Sequence, residues 1–304
     1  MAIVNTSLPI TSESCDRMIR EIVRIYPFCR TELLTTTAFQ RPIRTLVIGN
    51  GARKVIYSAA HHANEWITAL VLLKFAEELA QGIQRGEQAA KAIAEAATIY
   101  MVPMVDPDGV DLVTGAIPAG SIQYVQAQRI AEDFPEIPFP DGWKANLLGV
   151  DLNLQYPAGW LSAREIKFRQ GYDRPAPRDY VGRAPLNQLE TKALAGYTEY
   201  IDPALVLAYH SQGKEIYWQF LDYEVPGARE LGEKMAAASG YTLADTPYSS
   251  SFAGYKDWFI QNFRRPGYTI EVGAGVNPLP LSQFDEIYRD NVPILTIAAL
   301  GDTD

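Results

Sequence analysis

The chain has 304 residues, 47% hydrophobic and 21% charged, which is ordinary material for a soluble protein with a sizeable core. Its 27 lysines and arginines against 36 aspartates and glutamates give a net charge of −9, which argues against a nucleic-acid partner or an anionic membrane surface. No window approaches the roughly 18 apolar residues that span a bilayer. The opening "MAIVNTSLPITSES" lacks a signal peptide's basic and apolar regions, so the expectation is a cytoplasmic protein with Cys15 and Cys29 reduced.

In chain order, a first helix is expected from near Ser12 to the break at Pro27. "TELLTTTAF" and "RTLVIG" read as strands, and Asn50-Gly51 signals a two-residue hairpin before the strand "RKVIYSAA". Residues 65–82 carry apolar positions at helical spacing, and "KAIAEAA" ends a second helix before the strand "TIYMVPMV". From Asp106 to about Arg183 the chain is rich in Gly and Pro and reads as loops lying over one face of a sheet. "PALVLAYHS", "KEIYWQF" and "YTIEVG" are strands, "GARELGEKMAAASG" is a helix stopping at Gly240, and a helix closes the chain. Such alternation, without linker or repeat, predicts one α/β domain over residues 1–304, its largely parallel or mixed sheet covered on both faces.

The chain contains three histidines, and two of them stand in "AHHANEW". His62 and Glu65, three apart at the mouth of a helix, can converge on one ion. The third histidine, His210, ends the apolar strand "ALVLAYH". Two histidines and a glutamate form a three-ligand catalytic zinc set with a position left open for water. On spacing alone HxxE is a weak signal, and a hydrogen-bonded His62 with a core His210 is the competing reading. His61 is expected to point away from its neighbour and to take no part in metal binding.

"HHANEW", "VPMVDPDGV", "GVDLNLQYP", "YHSQG" and "YTIEVG" follow one another in the order and spacing of the zinc carboxypeptidases, which the chain resembles from Ser12 onward. "WKAN", "HSQGKEIYW" and "GYTIEVGAGVNPLP" look most like the bacterial γ-D-glutamyl-L-diamino acid (γ-D-glutamyl-meso-diaminopimelate) peptidases. The resemblance implies a three-layer α/β/α fold with a mixed, mostly eight-stranded twisted sheet. It also implies one zinc ion per chain, held by His62, Glu65 and His210 at the C-terminal ends of central strands. In the resemblance Glu271 matches the general base and Lys144 stands where an arginine usually steadies the oxyanion. Tyr248 lies one residue out of register with a mobile active-site tyrosine, as a substrate-contacting or proton-donating phenol. The implied substrate is a murein-derived peptide; no oligomeric state is implied.

Two departures bear on specificity. The segment that grips a terminal carboxylate in digestive carboxypeptidases reads "DLNLQY", with Leu154 where an arginine is expected, and Asn64 replaces a second arginine. Leucine cannot pair with a carboxylate, so ordinary carboxypeptidase activity is in doubt while the zinc chemistry is untouched. Lys256, with Asn153 and Gln155, is expected to recognise substrate carboxylates instead. Asp151 is expected to orient a ligand from behind, and "VDPDGV" to be a turn.

The alternatives are a metallocarboxypeptidase of other specificity and a non-catalytic peptide-binding module on the same fold; Glu271 beside a complete ligand set counts against the second. A serine hydrolase reading of "YHSQG" fails because Tyr209 replaces the first glycine and no histidine follows His210. "GNGARK" and "GAGVNP" lack the final glycine of a dinucleotide site.

Overall fold

The structure is a computed structural model and describes residues 2–301. Helix α1 (Ser12–Ile25) starts where Thr11 and Ser14 exchange side-chain and backbone hydrogen bonds in a capping box. Strands β1 (Leu33–Thr36) and β2 (Pro42–Arg44) pair as a separate two-stranded ribbon. Then follow β3 (Leu46–Ile48), β4 (Arg53–Ala59), α2 (Ile67–Arg85), α3 (Gln88–Ala96) and β5 (Ala97–Val102). Helices α4 (Pro107–Val113), α5 (Ile122–Ala131), α6 (Trp160–Arg169) and α7 (Leu189–Ile201) precede β6 (Leu205–His210) and β7 (Glu215–Tyr217). The chain ends with α8 (Ala228–Ser239), β8 (Thr242–Ala244), α9 (Tyr255–Phe263), β9 (Gly267–Glu271) and α10 (Phe284–Leu300).

The main sheet runs β3-β5-β4-β6-β9-β7-β8, seven strands rather than the eight expected. Strands β5, β4, β6 and β9 are mutually parallel, while β3 and β7 join them antiparallel. Side-chain alternation divides the core. Val55, Tyr57 and Ala59 of β4 and Leu205, Leu207 and Tyr209 of β6 pack with α1, α2, α8 and α10. Ile56, Val206 and Ala208 face the other way, toward α7 and α9. With period-two side chains, continuous apolar runs such as "LVLAY" are what a strand covered on both faces requires. The architecture is the expected α/β/α sandwich.

Two local readings are corrected. Asn50-Gly51 does not close a hairpin, because β5 inserts between β3 and β4 and pairs with both. Gly51 is needed there for another reason: a Cβ would meet the backbone of Ala96 and Ala97 within 2.3 Å. Residues 106–183 contain three α-helices and the 3₁₀ turn Leu152–Leu154, and "VDPDGV" opens one of the α-helices rather than forming a turn. Asp106 caps α4 by accepting from the Gly109 N–H at 2.9 Å, and Pro107 takes the first helical position, where its missing N–H costs nothing.

From β4 the chain crosses through α2 and α3 to β5 on one side, and later enters β6 on the other side of β4. Strand order reverses there, which opens a crevice at the C-terminal ends of β4 and β6. In the β6–β9 ladder His210 lies directly beside Glu271.

Candidate metal centre

After β4 the backbone turns at Ala60, which has a left-handed φ of +48°. That conformation costs a non-glycine residue about 1–2 kcal/mol, and it is held from both sides. The Ala60 N–H donates to Thr68 Oγ1 at 3.0 Å, and its carbonyl accepts from the Asp106 N–H at 2.9 Å. The turn sends the two histidines apart. His61 Nε2 approaches the Tyr156 hydroxyl at 3.3 Å, and burial drives its pKa well below the ordinary value, so it is neutral. His62 caps the single 3₁₀ turn Ala63–Glu65. In that geometry residues i and i+3 eclipse, which folds Glu65 back onto His62.

His62 Nδ1 lies 3.0 Å from Glu65 Oε1, His210 Nδ1 lies 2.9 Å from Glu65 Oε2, and the two Nδ1 atoms are 3.2 Å apart. A tetrahedron with zinc–nitrogen and zinc–oxygen bonds of about 2.0–2.1 Å has edges of roughly 3.3–3.4 Å. The three donors therefore fit zinc in kind and in spacing. His62 Nε2 is held at 3.1 Å by Asp151 Oδ1, which fixes the ring with Nδ1 inward. Asp151 is itself held by the N–H groups of Asn153 and Asp179, each at 3.1 Å. As the sequence suggested, it supports a ligand from behind.

Without the ion these buried groups compensate one another. Burial alone would lower the His62 pKa, but Glu65, with Asp151 behind, pushes it up to about 9. Burial opposes ionisation of Glu65 too, yet His62 and Lys144 hold its carboxyl well below the usual range. Lys144 Nζ sits 2.8 Å from Glu65 Oε1. The lysine is positioned by its backbone: its N–H donates to Pro177 O at 2.8 Å, its carbonyl accepts from the Ala63 N–H at 3.0 Å, and the preceding Trp143 is fully buried. Glu271 ends β9 between His210 and Glu215 of the flanking strands. Burial, then the nearby Glu65 carboxylate, push its pKa up to about 8 in the metal-free protein.

His62, Glu65, His210, Lys144 and Glu271 all line one cavity of about 950 Å³. Asn153 also lines it, with its Oδ1 accepting from the Tyr255 N–H at 3.0 Å. Leu154 and Asn64 lie on its wall, and Asn64 Nδ2 donates to Asp141 O at 3.0 Å.

Three expected site residues stand elsewhere or are otherwise engaged. Gln155 is fully buried away from the cavity, tying the Val181 carbonyl and the Asn187 N–H together, so it staples loops rather than touching substrate. Lys256 lines the cavity but its ammonium is enclosed by Gln219 O at 2.5 Å, Asp257 Oδ1 at 2.7 Å and Thr246 Oγ1 at 3.3 Å. The lysine expected to recognise substrate carboxylates therefore has its ammonium engaged within the protein. Tyr248 is 71% exposed, packs edge-on against Phe252 and is not brought to the metal ligands. Conversely, Arg178, Asp179 and Lys167 line the cavity and were missed. Arg178 and Asp179 lie in the loop signal "GYDRPAPRDY" and Lys167 on α6, and nothing in the spacing of either segment ties it to the histidines.

The family profile described as zinc carboxypeptidase matches residues 15–294. The chain is 40% identical over 285 residues to the γ-D-glutamyl-L-diamino acid endopeptidase 1 of Lysinibacillus sphaericus, covering 91% of this chain and 68% of that protein. It is 33% identical to an uncharacterized protein of Bacillus subtilis (strain 168), covering 92% of this chain and 74% of the other. Among solved structures, thrombin activatable fibrinolysis inhibitor superposes with a TM-score of 0.77 at 16% identity, covering 98% of this chain and 76% of that one, a likeness of fold. With a His–Glu–His donor set at the sheet's C-terminal edge, these matches make the chain a member of the zinc carboxypeptidase family and a zinc-dependent metallopeptidase.

Proposed function

We propose that this peptidase hydrolyses the amide between γ-D-glutamate and the L-centre of a diamino acid, meso-diaminopimelate, in murein-derived peptides. The observation that carries the reading is a cavity that keeps the donor set, Glu271 and Lys144 but has Leu154 on its wall in place of a carboxylate-gripping arginine. The relative from Lysinibacillus sphaericus supports the choice of substrate.

His62, Glu65 and His210 would hold the zinc. When bound, the ion supplies Lewis acidity toward the scissile carbonyl and makes a water acidic enough to ionise near neutral pH. Glu271 then acts as the general base, taking a proton as the water oxygen bonds to the carbonyl carbon. It returns that proton to the departing amine as the C–N bond breaks. With an ion held by His62, Glu65 and His210, the Glu271 carboxyl would lie beside added positive charge, which favours its ionised form. Lys144 steadies the developing oxyanion as a point charge. Asp151 keeps the His62 ring turned, and Asn153 contributes a polar contact to the substrate.

Mass spectrometry of L-Ala-γ-D-Glu-meso-diaminopimelate incubated with the protein tests this. The expected products are L-Ala-D-Glu and free diaminopimelate, formed with zinc and abolished by chelator. An intact tripeptide, alongside cleavage of ordinary α-linked C-terminal residues, would return the protein to a general carboxypeptidase role. The reading extends to processing of imported wall fragments in the cytoplasm, which the free, buried Cys15 and Cys29 support. Recovery of the native protein outside the cell would remove that part.

A further inference from the structure

The cavity wall carries four cations, and they differ in what they are bound to. Lys144 lies on Glu65, Lys256 is enclosed by Gln219, Thr246 and Asp257, and Lys167 Nζ is 2.5 Å from Asp179 Oδ1. Arg178 is bound through one edge only. Its Nε donates to Asp179 Oδ2 at 2.6 Å, the guanidinium's terminal nitrogens have no hydrogen bond or ion pair among the described residues, and the side chain is 43% exposed.

The backbone on either side of Arg178 is fixed to the metal centre. The Pro177 carbonyl accepts from the N–H groups of Lys144 and Ala145, at 2.8 and 2.9 Å. The Asp179 N–H donates to Asp151 Oδ2, the carboxylate that stands behind His62. Asp179 adopts a left-handed φ of +66°, a strained conformation for a non-glycine residue that this bond helps to hold. Lys167, Arg178 and Asp179 together leave one positive charge, enough for one carboxylate. A guanidinium with a free pair of N–H groups binds a carboxylate through two parallel hydrogen bonds, which an ammonium cannot do.

We propose that Arg178 is the carboxylate receptor of this peptidase, taking over from a different loop the task that Leu154 cannot perform. The inference rests on the substrate reading above. Such a substrate carries carboxylates on both sides of the scissile amide: the free α-carboxylate of the γ-linked D-glutamate, and those of the diamino acid.

The test compares wild type, Arg178→Ala and Arg178→Lys on three peptides. These are L-Ala-γ-D-Glu-meso-diaminopimelate, its analogue with the glutamate α-carboxylate converted to a carboxamide, and its analogue with the diaminopimelate carboxylates amidated. Wild type should discriminate against one amidated peptide by about 10- to 100-fold in kcat/KM, the worth of a charge-assisted pair. Arg178→Ala should lose that factor on the free carboxylate, chiefly in KM, and leave the disfavoured amide unchanged, so that discrimination vanishes. Arg178→Lys should restore part of it. The amide at which discrimination collapses identifies the carboxylate. Discrimination retained at both positions, or all three peptides slowed alike with zinc content and Tm unchanged, overturns the proposal while the substrate reading stands. If wild type cleaves none of the three, the substrate reading falls and this inference with it.

Discussion

The Glu65 carboxylate meets the side chains of His62, His210 and Lys144 and also accepts from the Ser211 N–H, and zinc would compete with the first three contacts. In the metal-free protein His62 holds its proton up to about pH 9. A histidine raised in this way stabilises the metal-free fold below its ordinary value of 6.5 and ceases to do so as pH rises through 9. Zinc must displace that proton, so apparent zinc affinity should rise about tenfold per pH unit from pH 7 toward 9. Calorimetric titrations at three pH values, in buffers of different ionisation enthalpy, would read both the slope and the proton released; a pH-independent affinity contradicts the electrostatics described. Asp151→Ala should lower zinc affinity about 10- to 100-fold by freeing the His62 ring. Glu271→Gln should cost about 10²–10⁴ in kcat with zinc content intact, whereas coupled loss of zinc would show that Glu271 is a ligand. The donor set was legible because the chain has only three histidines and because the ordered motifs around them resemble those of the zinc carboxypeptidases; the HxxE spacing alone is a weak signal. The state of Lys256 was not, since its partners Gln219 and Thr246 approach from segments that share no local pattern with it.

Helix α4 packs directly against the turn Ala63–Glu65 that carries a zinc ligand. Gly109 lets this helix nest against both site loops: a Cβ there would lie 2.2 Å from Asp106 Oδ2, 2.5 Å from the Ala145 carbonyl and 2.7 Å from the Ala63 Cβ. Ala63 follows a zinc ligand and Ala145 follows Lys144, so Gly109→Ala should push on both. Overpacking of this kind costs about 1–3 kcal/mol, and two of the neighbours are backbone or fixed to it, so the upper end is expected. Thermal unfolding and zinc affinity should fall together in this variant; a Tm within a degree of wild type would refute the packing argument. The sequence pattern identified the glycine but attributed it to a turn. Proline and glycine within four residues look like a break unless the cap at Asp106 is recognised. The supposed hairpin at Asn50-Gly51 failed for a related reason: turn chemistry says where the chain bends and not whether a third strand enters between the arms.

At the scale of the whole molecule, the apolar runs of β4, β6 and β9 and the alternation of elements were sufficient to read a sheet buried on both faces. Strand order was not contained in them, and with it the long-range meeting of residues 62, 65, 210 and 271 that comes from the reversal beside β4. The resemblance to zinc carboxypeptidases supplied that topology, though it carried eight strands to a sheet of seven. Zinc binds the assembled crevice and not the unfolded chain, so at 100 times its dissociation constant it should stabilise the fold by about 2.7 kcal/mol. Scanning calorimetry with and without chelator reads this as a lower Tm for the stripped protein. The most direct test of the account is to titrate metal-free protein with zinc while following cleavage of L-Ala-γ-D-Glu-meso-diaminopimelate. Activity should be absent at the start, rise linearly and break at one equivalent per chain. Hydrolysis before any zinc is added, or a break at two equivalents, would contradict a single ion held by His62, Glu65 and His210.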